Sequence, residues 1–589
     1  MPFGASHGPL VQLFNSAICS FFRQIEVYDS ENVPEHGPII FACSHANMAL
    51  DPAVLSNTVP HGHYLHYWVK DSLFKNPVAG AILRNAGNIA VDRKNKDNQK
   101  LFRGTFEALA LGECIGVFPE GTSHTEPHMI PLKDGTSWAA LEYVKYLKGT
   151  EQNGGPKKGK KAVVIPVGIA YVNKRKYRSR VVVHYGEPIS MESFESQFLS
   201  EKEGEARLAV KRLTWTIDVE LKKRTVNAPD WDTAFAAQMA RELLWIREDD
   251  LSLQDYVQVS QTLVDLFTTP NENIQSLKPL LATYHRLLTS SRLSNSVLSD
   301  ISLSSTLDPS LPIPLPNRFS TLFIFIKDTL SCLLRLPFFL VPMLIHLPLY
   351  VVGQLGATLA EDELETQAQM KVFVGIVFSL IYYPTIFFVL RGFLDGFALG
   401  VAVAGLTIWG LGRYHSALID ENYDAMKRFV ASWRLLIGIW TPRRSEFPLP
   451  SFLASYKSFA PDPPKVAGLP PSIPPEKYTR PKRLPSRVLV KHVLRTRLQA
   501  AKELSKVLLE IESKDISINS SFWLASEFGG EIMKPTNEEE DMNEWERELA
   551  KGVRNGKEVV SFLRARGARL DLGRNDQSHW VASSGGETE

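Results

Sequence analysis

Pro38-Ile39-Ile40-Phe41-Ala42-Cys43-Ser44-His45-Ala46-Asn47-Met48-Ala49-Leu50-Asp51-Pro52 runs from an unbroken apolar stretch into a histidine and, six positions later, an aspartate. An apolar run this short and this continuous reads as a buried strand. The same grammar repeats outward from it. Asn88–Val91, Cys114–Phe118, Val163–Tyr171 and Val181–Tyr185 are further strand-like runs, and Leu101–Leu111 and Thr136–Lys148 carry apolar residues at helical spacing. Strands alternating with helices over residues 30–190 predict an α/β fold whose mixed, partly parallel sheet is flanked by helices.

With 589 residues the chain has room for several domains, and its formal net charge of +2 gives no global field that would draw nucleic acid. Basic residues are local: Lys94, Lys96 and Lys100 after one strand, and Lys157, Lys158, Lys160 and Lys161 in a Gly/Pro loop that reads as a solvated surface. The four cysteines, Cys19, Cys43, Cys114 and Cys332, have neither metal-type nor disulfide-type spacing, which fits a reduced compartment, and Cys43 reads as core. The first residues lack a basic stretch, apolar core and small-residue cleavage site in series, so no cleavable signal peptide is expected. Leu10–Phe22 is apolar but short and interrupted, as in an interfacial or amphipathic helix.

The expected organisation is an N-terminal interfacial helix over 1–29 and a catalytic α/β domain over 30–225. A helical region and linker follow over 226–317, then a transmembrane region over 318–415. A membrane-proximal segment covers 416–460, and a Pro-rich and helical cytosolic-type tail covers 461–589. Lys202–Arg224 and Trp231–Glu248 have helical periodicity, and 302–317 is a Ser/Pro-rich linker. Leu336–Leu359 and Val372–Leu390 approach the roughly 20 apolar residues that a membrane-crossing helix needs, and Phe397–Leu411 is a third, Gly-rich run. Thr321–Leu334 is weakened as a span by Lys327 and Asp328. The acidic loop Glu361–Glu365 against Arg413, Lys427 and Arg428 places the loop on the side away from the cytosol. In the tail, Arg487–Ser513 is a basic amphipathic helix candidate and Asn543–Arg566 also looks helical.

Three short blocks carry chemistry. In the first, His45 can take a proton from an alcohol near neutral pH, and Asp51 is the one carboxylate near enough in sequence to hold its other ring nitrogen. In the second, Gly87-Asn88-Ile89-Ala90-Val91-Asp92-Arg93, the guanidinium of Arg93 suits a phosphate. In the third, Val117-Phe118-Pro119-Glu120-Gly121-Thr122-Ser123, Gly121 lets backbone approach a ligand, Thr122 and Ser123 can donate to phosphate, and Glu120 can accept a substrate hydroxyl or hold Arg93. Backbone amides of this turn could also meet the oxyanion of thioester attack. A Gly-x-Ser-x-Gly elbow is absent, so direct attack by a substrate hydroxyl fits better than a covalent serine route.

In this order the blocks resemble the motifs of the PlsC-like glycerolipid acyltransferases over residues 30–190, with Val164-Ile165-Pro166-Val167 as the fourth motif. The resemblance implies the glycerolipid acyltransferase fold, a base in His45 and its orienter in Asp51. It implies a substrate site of Arg93, Glu120, Gly121, Thr122, Ser123 and Pro166. The family's commoner form has four residues between His and Asp; here there are five, as in the His-x-Asn-x-x-x-Asp form of fungal glycerol-3-phosphate/dihydroxyacetone-phosphate acyltransferases, matched by His45, Asn47 and Asp51. That branch implies transfer from acyl-CoA to the sn-1 hydroxyl of glycerol 3-phosphate, with dihydroxyacetone phosphate as a further acceptor. It also implies a multi-pass protein of the endoplasmic reticulum membrane with its catalytic domain facing the cytosol. The neighbouring expectation is acylation of 1-acylglycerol 3-phosphate. The partners expected are acyl-CoA as co-substrate, the phosphorylated acceptor and the lipid bilayer; no cofactor, metal or nucleic acid is expected. His61, His63, His66, His124 and His128 are the rival metal-ligand set, but Pro127 opposes a helix there and no His-Glu-x-x-His motif exists. A membrane scaffold without chemistry would leave the ordered blocks as coincidence.

Overall fold

The strand into which the opening stretch folds, Ile39–Cys43, lies at the centre of an eight-stranded mixed sheet. The structure, a computed structural model, describes residues 3–4, 7–91, 101–152, 160–298, 315–359, 366–394, 396–442, 444, 446–457, 484–514, 516–532 and 552–570. In chain order the strands are β1 (Gln24–Tyr28), β2 (Ile39–Cys43), β3 (Leu65–Lys70), β4 (Ile89–Val91), β5 (Cys114–Val117), β6 (Val163–Tyr171), β7 (Arg180–Tyr185) and β8 (Ile189–Ser190). They lie in the order β1-β7-β6-β2-β5-β3-β4, with β8 on β6. β2 runs parallel to both β5 and β6, β3 parallel to β4 and β5, and β1 parallel to β7; β6 meets β7 and β8 antiparallel. The expected α/β class with a mixed, mostly parallel sheet is therefore what the chain forms.

Alternation along β2 explains its apolar continuity. Ile40 and Ala42 face a core built with Phe106 of helix α4 (Arg103–Ala110), Tyr143 of α5 (Gly135–Gln152) and Leu213 of α6 (Glu205–Lys223). Ile39, Phe41 and Cys43 face a second core with Ile18 of α1 (His7–Phe21) and Val54 of α2 (Leu50–Thr58). Both faces are covered, so no position on the strand can be polar. Helix α3 (Pro77–Asn85) leads into β4, with Asn76 capping its first turn by accepting from the Val78 and Ala79 amides. The expected interfacial helix at the N-terminus is α1, and its Ile18 and Phe21 face is docked on the sheet.

The residues group into two compact units, Met1–Asn227 with Val341–Ala417, and Ala228–Leu340 with Leu418–Glu589. Among the described residues, three helices are long and apolar enough to cross a membrane: α10 (Arg318–Thr358), α11 (Thr366–Gly392) and α12 (Phe397–Trp440). They expose many large apolar side chains, among them Phe338, Leu344, Phe388 and Leu406, as lipid-facing helices do. Two expectations change here. Thr321–Leu334 and Leu336–Leu359 are one helix, because Pro337, Pro342 and Pro348 do not interrupt it. The third run does not stop at Leu411: α12 continues to Trp440, with Ala431, Leu435 and Ile439 buried along one helical face.

In the second unit, α7 (Trp231–Leu244), α8 (Tyr256–Thr268) and α9 (Glu272–Ser291) pack with α13 (Val490–Ser513). The sequence reads α13 as a basic surface or membrane-contacting helix, but Val493, Ala501, Leu504 and Leu508 are core. The stretch read as a helix over Asn543–Arg566 is divided: 543–551 lie outside the described residues, Gly552–Asn555 is a strand, and α14 (Gly556–Ala565) follows it. That strand, β11, is the middle of an antiparallel sheet with β9 (Ser517–Ser520) and β10 (Gly530–Ile532).

Candidate active site

Parallel strands deliver their carboxyl ends to one edge of a sheet, where α/β proteins place their ligands. His45 lies two residues past β2, Glu120 three past β5, and Tyr171 ends β6, which runs parallel to β2. The chain therefore brings the first and third blocks together by topology, across 75 residues of sequence.

The five-residue gap between His45 and Asp51 is absorbed in a tight turn. Met48 sits at φ 45°, the Leu50 amide donates to the Asn47 carbonyl, and α2 begins at Leu50, so Asp51 falls in its first turn. A carboxylate is favoured there by the helix dipole. Asp51 is fully buried and accepts three bonds: from His45 Nδ1 at 2.9 Å and the Asn47 amide at 2.7 Å on Oδ2, and from the Tyr171 hydroxyl on Oδ1. With Nδ1 protonated toward Asp51, Nε2 carries the lone pair. The His45 side chain is 16% exposed and lies against the Phe118 ring, centroids 4.3 Å apart. Burial, and next the charge of Asp51, pushes the Tyr171 phenol far above its ordinary value, so it remains a donor to the carboxylate. Cys43 is core, as read from its flanks; burial and the charges of Asp51 and Glu120 push its thiol up, so it is no nucleophile.

Glu120, expected to accept a substrate hydroxyl or hold Arg93, is 1% exposed. Its Oε1 accepts from the His45 amide at 2.6 Å, and its Oε2 accepts from the His124 ring and, at 3.3 Å, from the Ile130 amide. One buried carboxylate thus holds the His45 ring and another holds the His45 backbone. Lys174 ties the same loops from a third side, its Nζ donating to the Ala46 carbonyl at 3.1 Å and the His124 carbonyl at 3.3 Å.

Gly121 sits at φ +74°, and a Cβ there would meet Lys133 Nζ at 2.7 Å. The positive φ favours glycine, and the exposed ammonium of Lys133 lies across the turn. The Gly121 amide is used within the turn, donating to the Phe118 carbonyl. Thr122 is exposed and donates to the Ser123 carbonyl, while the Ser123 hydroxyl rests on Met48 Sδ. Arg93, with Lys94, Lys96 and Lys100, lies outside the described residues. Pro166 is buried inside the sheet. Its ring occupies the space left by Gly186, and its missing N–H falls where β6 changes partner, between β8 at Val164 and β7 at Val167.

The rival histidines have other work. His61 and His63 bond the Val33 and Pro34 carbonyls, and His66 bonds Glu113 and the Gly87 carbonyl. Among the described residues no group of three or more His, Cys, Asp or Glu could hold a metal ion. Sequence reading named His124 only as a rival metal ligand and did not single out Tyr171, Lys133, Lys174 or Gln369, whose Oε1 accepts from the Ala49 amide at 3.0 Å beside α2. The position of Tyr171 at a strand's carboxyl end was the one available signal.

Residues 24–170 match the family described as Acyltransferase, and the match contains the whole His45, Asp51 and Glu120 arrangement. This region is an acyltransferase domain. Glycerol-3-phosphate O-acyltransferase 2 of Saccharomyces cerevisiae is 32% identical over 211 residues, 36% of this chain and 26% of that protein. Glycerol-3-phosphate O-acyltransferase 1 of the same yeast is 26% identical over 39% of this chain and 40% of its own length. A 1-acyl-sn-glycerol-3-phosphate acyltransferase of Bacillus subtilis is 30% identical over 20% of this chain and 57% of that protein. The chain thus spans about a quarter and two fifths of the length of these yeast relatives.

Proposed function

We propose that the chain is an acyl-CoA-dependent O-acyltransferase that acylates the sn-1 hydroxyl of glycerol 3-phosphate, with dihydroxyacetone phosphate as a second acceptor, at the cytosolic face of the endoplasmic reticulum membrane. The observation that carries the reading is a half-open histidine whose Nδ1 is held by a buried carboxylate at 2.9 Å, inside a domain of the acyltransferase family. In this reading His45 Nε2 takes the acceptor's hydroxyl proton as the oxygen attacks the thioester carbon. Asp51 fixes the tautomer and stabilises the imidazolium that forms. The tetrahedral oxyanion then collapses, the C–S bond breaks, and the departing thiolate of coenzyme A takes the proton from Nε2. The amides of Thr122 and Ser123 are the backbone donors left for the oxyanion, since that of Gly121 is spent on Phe118. Lys133, Thr122 and Arg93 supply the acceptor's phosphate site, and Glu120, His124 and Lys174 position His45 from behind.

The yeast relatives, both named for glycerol 3-phosphate, favour that acceptor, and three helices apolar enough to span a membrane favour a multi-pass protein. The Bacillus relative favours a second reading in which the acceptor is 1-acylglycerol 3-phosphate. Purified full-length protein, given labelled acyl-CoA with glycerol 3-phosphate, dihydroxyacetone phosphate or lysophosphatidate in parallel, separates them. Acyl transfer to glycerol 3-phosphate is the expected result; transfer only to lysophosphatidate overturns the first reading.

A further inference from the structure

Ionisable and hydroxylated side chains between apolar helices mark functional sites more often than they mark simple packing. In the first unit such a group stands within helices α10, α11 and α12, away from His45. His346 and Tyr350, one turn apart on α10, are joined by Tyr383 of α11 and by His415 and Arg413 of α12. His346 Nδ1 is bonded to the Tyr383 hydroxyl at 2.7 Å, and Tyr350 to His415 Nε2 at 2.6 Å. The His346 and His415 rings lie 4.2 Å apart, centroid to centroid. The Tyr350 hydroxyl is also 2.9 Å from that of Tyr177, which belongs to the loop between β6 and β7. That contact joins the group to the acyltransferase domain.

A cleft of about 330 Å³ opens beside this group, lined by His346, Tyr383, Ile408, Trp409, Gly412 and Arg413. Its lining contains one cation and no carboxylate. His346 is 6% exposed; its ring lies beside the Leu411 backbone, but its Nε2 makes no hydrogen bond of ordinary distance and angle among the described residues. A buried imidazole nitrogen in apolar surroundings without a partner is costly. Arg413 stands exposed at the rim, its fork suited to phosphate oxygens. Trp409 and Ile408 continue the cleft along an outward-facing apolar surface, and Trp409 is 67% exposed. Gly412 keeps the helix surface low between them.

We propose that this cleft binds a membrane lipid through its phosphate monoester head: the phosphate on Arg413 and His346 Nε2, the acyl chain along Trp409 and Ile408. A lipid is favoured over free phosphate because the cleft is bounded by apolar helices and opens on their lipid-facing surface. The site is separate from the His45 site and does not depend on the acceptor assigned there.

The test uses the full-length protein in phosphatidylcholine nanodiscs carrying a diazirine-tagged phosphatidic acid, with crosslinks mapped by peptide. Labelling of α12 around Trp409 is expected. It should fall about tenfold in R413Q and in H346F, which keeps an aromatic ring but no nitrogen. Excess untagged phosphatidic acid should compete, whereas inorganic phosphate should not. Tryptophan-fluorescence melting checks that each variant remains folded, and R413Q, at an exposed position, stands if H346F does not fold. Labelling confined to the loops around His45, labelling unchanged in R413Q, or equal competition by phosphatidylcholine overturns the proposal and leaves His346 as a helix-packing residue. Competition by inorganic phosphate overturns the lipid as the source.

Discussion

Asp51 in the first unit and Asp265 in the second are the same kind of group in different surroundings. Each is a buried carboxylate near one end of a helix, satisfied by a backbone amide and by side chains. Asp265 accepts from the Ser521 amide at 2.6 Å, from the Ser521 hydroxyl and from Gln261 at 2.9 Å. All these donors end in the interior, so Asp265 fastens α8 to the residue after β9. One donor to Asp51 is an imidazole whose far nitrogen reaches the open side of the sheet. Burial and satisfaction are shared; an outlet for the proton is not. A buried carboxylate thus becomes part of a chemical site only through the group that it presents.

The sharpest way to break that contrast is to remove the outlet. H45A is expected to lower kcat/KM for acyl transfer by about 10³- to 10⁴-fold, at the upper end of what a general base contributes. Membrane association and melting temperature should stay near those of the parent, because His45 is partly exposed. Turnover within tenfold of the parent would remove His45 from the chemistry. D51N comes next, with a loss of about 10²- to 10³-fold in kcat, since the amide cannot stabilise the imidazolium. It should also lower stability by about 1–3 kcal/mol, because the amide nitrogen would face donors at the Asn47 amide or the Tyr171 hydroxyl. By contrast, D265N should leave turnover within about twofold; a loss comparable to that of D51N would erase the distinction between the two carboxylates.

K133M asks whether the turn at Gly121 binds the acceptor's charge. The ammonium is exposed and its side chain lies over Gly121, so it is free to swing onto a bound phosphate. Its loss should raise KM for a phosphorylated acceptor about tenfold while changing kcat far less, the signature of uniform binding energy. Initial rates over a range of glycerol 3-phosphate at saturating acyl-CoA give the split. An unchanged KM with a reduced kcat would place Lys133 at the reacting carbonyl instead.

These residues also show which features were legible in the sequence. β2, β5, β6 and β7 could be read because strands buried on both faces are written as unbroken apolar runs. β3 could not: Leu65-His66-Tyr67-Trp68-Val69-Lys70 has a buried histidine that bonds Glu113, and in sequence it joins a cluster of histidines that looks like a metal set. β1 escaped because Gln24-Ile25-Glu26-Val27-Tyr28 is a five-residue strand at the sheet's edge, only partly buried. His45 and Asp51 could be paired because one turn connects them. The parts played by Glu120 and Tyr171 could not be read, because they reach His45 and Asp51 across 75 and 120 residues, through strand order alone. The sheet of β9, β10 and β11 is illegible for a further reason: its strands are three or four residues long and carry polar side chains such as Asn519 and Arg554.

The smallest effect sharpens the comparison from the side of stability. Burial pushes the Asp265 carboxyl up to about 6 from its ordinary 3.8, against the downward pull of the Ser521 and Gln261 bonds. Below pH 3.8 the group is protonated in both folded and unfolded chains and is neutral to the balance. Between that pH and about 6 the folded chain holds the extra proton, so stability falls as pH rises, and above 6 the loss is complete. The gap corresponds to a loss on the order of 3 kcal/mol. D265N carries no proton there, so the difference in unfolding free energy, parent minus D265N, should decline from pH 4 to pH 7 and then level off. Denaturant unfolding of the full-length protein in detergent across that range measures it, with hydrogen exchange at the Ser521 amide as the local readout. A difference that stays flat would mean that the Ser521 and Gln261 bonds offset the burial of the charge entirely. Asp265 would then hold its charge at no cost in stability while presenting no outlet for a proton, and the histidine alone would separate the two sites.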